Sequence, residues 1–129
     1  MPDAQLSAAV SIFGAAAEAK LSNPLVSGEP EDQLRAPLEA LLTDLATLGG
    51  FKAGSVTAIG EHSISDLKTR PDYAVTVDDV LVGHIEVKAP GKGADPRRFK
   101  KKSHDAKQWA KLSSLPNLIY TDGNQFSLW

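Results

Sequence analysis

Asp72, Glu86 and Lys88 are the side chains of this sequence whose types and spacing could do chemistry. Two carboxylates and one amine form the set a hydrolytic metal site needs. The acids hold a divalent cation, and the ammonium orients a water or neutralises charge that builds up in the transition state. Asp72 follows Arg70-Pro71, and Glu86-Val87-Lys88 stands fourteen residues further on.

The residues between them predict how they are positioned. Ala74-Val75-Thr76-Val77-Asp78-Asp79-Val80-Leu81-Val82 reads as a strand, a two-residue turn and a second strand. Strands over 72–77 and 80–87 then bring Asp72 back beside Glu86 and Lys88 at one edge of a hairpin. Glu86 and Lys88 share a face by alternation, while Ile85 and Val87 turn to the opposite, apolar side. His84 shares the Glu86 face and reads as a satisfied neighbour. With no metal bound, Asp72 and Glu86 should repel each other and raise at least one pKa, with Lys88 offsetting part of the effect.

The other elements follow from periodicity and turn chemistry. An Ala-rich helix is expected over 4–20, with Leu6, Val10, Phe13 and Ala17 near helical spacing. Residues 21–28 form a loop. A second helix starts at Pro30, carries the stripe Leu34, Leu38, Leu41, Leu42 and Leu45, and stops at Gly49-Gly50. Pro37 either kinks that helix or marks its true start. Then come a short strand over 56–59, a polar loop over 60–69, the hairpin, and a turn over 89–93. A polar helix over 96–112 packs through Phe99, Ala106, Trp109 and Leu112. Two strands, 118–120 and 125–128, flank Asp122-Gly123-Asn124. This order predicts an α/β fold, an α/β/α sandwich on a central mixed sheet. It makes one domain of residues 1–129, with residues 1–27 as an N-terminal helical extension. The apolar strand that ends at Trp129 suggests a domain of a longer protein.

Pro71-Asp72 with Glu86-x-Lys88 resembles the signature of the PD-(D/E)XK nuclease superfamily, the restriction-endonuclease-like fold. Residues 28–39 resemble the amino-terminal helix of the nuclease module in single-chain restriction-modification proteins, so the resemblance covers most of residues 28–129. It implies a Mg²⁺-dependent endonuclease, with Mn²⁺ as a substitute, that hydrolyses phosphodiester bonds of double-stranded DNA in restriction-modification or phage defence. Methyltransferase or helicase domains would be fused in the parent protein. Asp72, Glu86 and the carbonyl of Val87 would hold the metal, and Glu31 would join through water, with Glu39 competing for that role. Lys88 would act on the attacking water, and Gln108 resembles a glutamine of the fused nucleases. Those enzymes usually carry Tyr four residues after it, where this sequence has Leu112. A catalytically silent nuclease-like module that binds nucleic acid or a protein is the alternative, and an RNA-processing nuclease would use the same site.

Charge distribution points to the same class of partner. The net charge is only −2. From Lys88 to Lys111, however, nine Lys and Arg face two Asp, whereas residues 1–87 hold five basic and thirteen acidic side chains. The basic block begins at Lys88, where a phosphate backbone would lie. Lys92, Arg97, Arg98, Lys101 and Lys102 are its candidate nucleic-acid contacts. A solvated helix face with a Lys-rich loop is the plainer reading of the same block. Cysteine is absent, which excludes disulfides and thiolate metal sites. No apolar run has the roughly 18 residues of a membrane helix, and no secretory leader is visible. A cytoplasmic protein is expected.

Overall fold

The computed structural model describes residues 2–60 and 69–129. Most of the polar loop expected over 60–69 lies outside the described residues. Helix α1 spans Pro2–Leu21, a 3-10 helix spans Pro30–Leu34, and α2 follows directly over Arg35–Leu48. Strand β1 is Val56–Gly60, and β2 (Tyr73–Val77) and β3 (Val80–Val87) make the hairpin. A 3-10 turn at Pro96–Arg98, helix α3 (His104–Leu112), β4 (Leu118–Thr121) and β5 (Phe126–Leu128) complete the chain.

The sheet order is β1-β2-β3-β4-β5. β3 and β4 run parallel, and every other neighbouring pair is antiparallel. Two apolar clusters lie on opposite faces of this mixed sheet. Ala9, Phe13 and Ala17 of α1 and Leu34, Leu38 and Leu41 of the second helical segment pack on Tyr73, Ile85 and Val87. Leu112, Trp109 and Phe99 cover Leu118 and Tyr120 on the other face. Helices therefore flank a mixed sheet, as the sequence pattern predicts for an α/β sandwich.

Several expected elements move. α1 buries Ala9, Phe13 and Ala17, leaving Leu6 45% and Val10 49% exposed, so the apolar stripe sits to one side of the one expected. Pro37 falls in the first turn of α2, where its missing N–H would have no helical partner in any case. It marks the true start, and the stretch from Pro30 is 3-10 instead of α. The helix expected over 96–112 is likewise only a 3-10 turn at first. Lys102 adopts φ +67, which breaks the helical path. Ser103 then caps α3 by accepting the Ala106 N–H at 3.1 Å.

The hairpin turns on Asp78 and Asp79, with φ of 50 and 66, the left-handed pair that a two-residue turn uses. Its ladder is not regular. Val77 pairs with Val80 and Thr76 with Leu81, but Val75 pairs with Gly83, so Val82 bulges out of β3. Gly83 is required there. A Cβ at this position would come within 2.5 Å of the Asn117 carbonyl oxygen. The Asn117 side chain ties down the bulge by donating to the Val82 carbonyl at 3.0 Å.

Candidate active site

Asp72 precedes β2 by one residue, and Glu86 lies near the end of β3. Tyr73 pairs with Ile85, so the register carries Asp72 opposite Glu86. Side chains take over where the ladder ends. The Asp72 N–H donates to Glu86 Oε1 at 3.2 Å, and the Val87 N–H donates to Asp72 Oδ2 at 2.7 Å. A strand residue points its N–H and C=O to the same neighbour. The carbonyl of Val87 therefore faces the Asp72 edge, as expected of a third oxygen.

Glu86 and Lys88 are 5% and 7% exposed and face α3, away from Ile85 and Val87. Lys88 Nζ lies 3.0 Å from Glu86 Oε2. It also donates to Asp105 Oδ1 at 2.8 Å and to Gln108 Oε1 at 2.9 Å. Three acceptors thus hold the ammonium, two of them from α3. Asp105 shares its second oxygen with Lys92. On the far side Arg35 Nη2 donates to Asp72 Oδ1 at 2.9 Å, and its guanidinium stacks over the Tyr73 ring. The Tyr73 hydroxyl donates to Glu39 Oε2 at 2.9 Å.

The electrostatics follow from burial and neighbours. Burial, and then the charge of Asp72, push the Glu86 carboxyl up to about 7, with Lys88 pulling against both. Burial draws the Lys88 ammonium down, but Glu86 and Asp105 outweigh it and leave the pKa above that of an ordinary lysine. Burial would raise Asp105, yet its bonds to Lys88 and Lys92 keep it below the usual carboxylate range. Burial and Glu39 raise the Tyr73 phenol to about 12.

Asp72, Glu86, Lys88 and Gln108 therefore come together, with Val87 between them. Glu31 does not join them. It lies half-buried on the 3-10 helix, and its side chain makes no hydrogen bond or ion pair among the described residues. Glu39 serves Tyr73. Of the five candidate nucleic-acid contacts, only Lys92 is seen to reach the site among the described residues, through Asp105. Arg97 pairs with Asp95 and lies 4.6 Å from the centre of the Trp129 ring. Arg98, Lys101 and Lys102 are exposed on the segment leading into α3. His84 is buried on the Glu86 face.

Three neighbours were not expected from the sequence. Arg35 and Asp105 are ordinary helix charges until the fold places them. The one available signal was that Asp105 and Gln108, three apart on a helix, share a face. Tyr120 pairs with Glu86 across the parallel β3–β4 ladder, and Leu112, at the position where a Tyr was expected, packs beside it.

The donor set suits a hard divalent cation. Two carboxylates and a backbone carbonyl are oxygen ligands, and Mg²⁺ commonly takes one or two carboxylates and leaves the rest of its shell to water and phosphate. A cation between Asp72 and Glu86 would also offset the burial and the repulsion by Asp72 that raise Glu86. Among the described residues no group of three or more His, Cys, Asp or Glu converges as a ready-made metal cage. No helix among them is long and apolar enough to cross a membrane. Comparison with family models, curated proteins and solved structures returns no significant match.

Proposed function

We propose that this chain is a Mg²⁺-dependent endonuclease domain of the PD-(D/E)XK type that hydrolyses phosphodiester bonds of double-stranded DNA. A restriction-modification or phage-defence protein is the setting this reading favours. The observation that carries it is the convergence of Asp72, Glu86 and Lys88 where the start of β2 adjoins the end of β3, with Lys88 buried and triply held. A lysine kept only for solubility has no reason to be desolvated in this way.

A bound cation would supply Lewis acidity and lower the pKa of a water. The residues of the chain do the rest. Asp72 and Glu86 would hold the cation, and the hydrogen bond from the Val87 N–H keeps the Asp72 carboxylate from rotating away. Asp105 and Gln108 would keep Lys88 in place if Glu86 held a cation, so its ammonium would stay available to the nucleophile or to the phosphoryl oxygens. Arg98, Lys101 and Lys102 leave the neighbouring surface positive for a phosphate backbone.

Incubating the protein with supercoiled plasmid and Mg²⁺ or Mn²⁺ should produce nicked or linear DNA, and EDTA should stop it. Cutting that persists in Asp72→Asn would refute the assignment.

A silent nucleic-acid-binding module is the second reading. It is favoured by the cations the protein itself sets on both carboxylates, Arg35 on Asp72 and Lys88 on Glu86. Duplex binding without metal-dependent cutting by the wild type would decide for it.

A further inference from the structure

The Tyr120 side chain is fully buried beneath α3, with its ring against Phe99 and Trp109 at centroid distances of 5.9 and 5.8 Å. Its hydroxyl has no hydrogen-bond partner among the described residues. A buried hydroxyl without a partner is costly, and phenylalanine would fill the same space without that cost. Where the hydroxyl sits suggests what it is for. Tyr120 stands next to Glu86 across the β3–β4 ladder, and Phe99, which touches its ring, also lies 5.9 Å from the Lys88 ammonium. Burial raises the phenol pKa, and the charges of Glu86, Asp105 and Asp72 raise it further, so all three carboxylates act on this oxygen. A phenol in such a field stays protonated and so keeps a proton to donate.

We propose that Tyr120 is a site group whose hydroxyl donates a hydrogen bond to an oxygen ligand, of water or of phosphate, that enters beside Glu86 when a divalent cation occupies the site. The proposal rests on the metal-site reading above. In the metal-free protein Lys88 neutralises Glu86, and the hydroxyl waits without an acceptor. Loading the site brings the acceptor. The same side chain therefore lowers the stability of the empty protein and strengthens the loaded one.

Tyr120→Phe tests this without relying on turnover. Mn²⁺ binding, followed through the EPR signal of the free ion, is compared in the two proteins, alone and with a short duplex. Melting temperature is measured without metal. The expected result is an unchanged or higher melting temperature for Tyr120→Phe with Mn²⁺ affinity weakened roughly tenfold. A defect with Mn²⁺ alone marks water as the acceptor, and one seen only with duplex marks phosphate. Equal Mn²⁺ affinity under both conditions overturns the proposal, as does a wild type that binds no Mn²⁺. A variant that melts lower or fails to fold overturns it too, because the hydroxyl would then be structural. Plasmid cutting separates the two readings. A Tyr120-dependent Mn²⁺ site without cutting leaves this inference standing and removes the nuclease. Cutting by the wild type with no Tyr120 effect does the reverse.

Discussion

Asp72 lies opposite Glu86, and not opposite Ile85, because Val82 bulges out of β3. A regular hairpin closed by Asp78 and Asp79 would continue the pairing of Val77 with Val80 so that Asp72 met Ile85. Paired residues share a face of the sheet. Asp72 would then point with Ile85 toward α1 and α2, while Glu86 and Lys88 faced α3. The one extra residue shifts the register, so both carboxylates project to the same side.

The register beyond the bulge should therefore be needed for the site. Gly83→Ala places a Cβ against the Asn117 carbonyl. We expect it to cost about 1–3 kcal/mol in chemical denaturation, because backbone must move on one side or the other. Deleting Val82 should remove the bulge but leave the pairs from Val75–Gly83 to Tyr73–Ile85 in place, so Asp72 still meets Glu86 and metal-dependent cutting should survive. Loss of Mn²⁺ affinity in a Val82 deletion that still folds would show that the bulge shapes the site beyond the register of Asp72 with Glu86.

Glu86 should leave a mark on stability against pH. Its folded pKa of about 7 lies above the ordinary value of 4.5, so the folded state keeps a proton that the unfolded chain releases. The stabilisation from this group is complete below pH 4.5 and is lost as pH rises to 7, by up to about 3 kcal/mol. In Glu86→Gln that decline should be missing. Asp105, whose pKa is lowered, contributes in the opposite direction in both proteins, so the difference between them isolates Glu86. Parallel curves from pH 4.5 to 7.5 would contradict the assignment.

Asp72 has two duties that substitution can separate. Asp72→Asn keeps an oxygen for the Val87 N–H but removes the charge. It should lose most Mg²⁺ or Mn²⁺ affinity while melting close to wild type. Asp72→Ala also orphans the Val87 N–H, and should lose about 1–3 kcal/mol in addition. Titration calorimetry with Mn²⁺ and thermal melts would test the pair. Equal stability of the two variants would mean that the hydrogen bond contributes nothing.

Lys88 should matter for turnover and little for binding. Lys88→Ala is expected to remove detectable cutting while duplex affinity changes less than threefold, as befits a group acting on the transition state. Asp105→Asn should cut at a rate between the two, since Glu86 and Gln108 still hold the ammonium. Single-turnover assays beside gel-shift titrations would distinguish rate from affinity. Loss of both together in Lys88→Ala would instead make Lys88 a binding residue.

The exposed basic segment makes a separate electrostatic prediction. Replacing Arg98, Lys101 and Lys102 by Gln should weaken duplex binding at low salt. It should also flatten the dependence of log affinity on log salt by about 0.9 for each phosphate contact removed. An unchanged slope would place the DNA elsewhere.

How much of this was legible in the residues depends on the range of the interaction. Alternation and turn chemistry are local, so Val80–Val87 announces a strand, and Asp78-Asp79 announces the turn before it. The same reasoning put Glu86 and Lys88 on one face and Ile85 on the other, and the apolar runs implied helices on both sides of a mixed sheet. The α3 boundary was less accessible, because the left-handed Lys102 and the Ser103 cap override a pattern of packing residues that continues smoothly from Phe99 to Leu112. What the amino-acid order by itself determined was the set of local elements and the chemical types offered at one strand end. The tertiary structure decided the rest. Val82 can bulge because Gly83 beside it leaves room for Asn117, brought up by the parallel β4. That approach sets the phase of the whole hairpin and so the side to which Asp72 turns. Arg35, Asp105 and Tyr120 likewise become neighbours of the site only through packing between elements far apart in the chain. A single sequence encodes its local periods directly, whereas contacts of that kind exist only once the sheet and its covering helices have closed on one another.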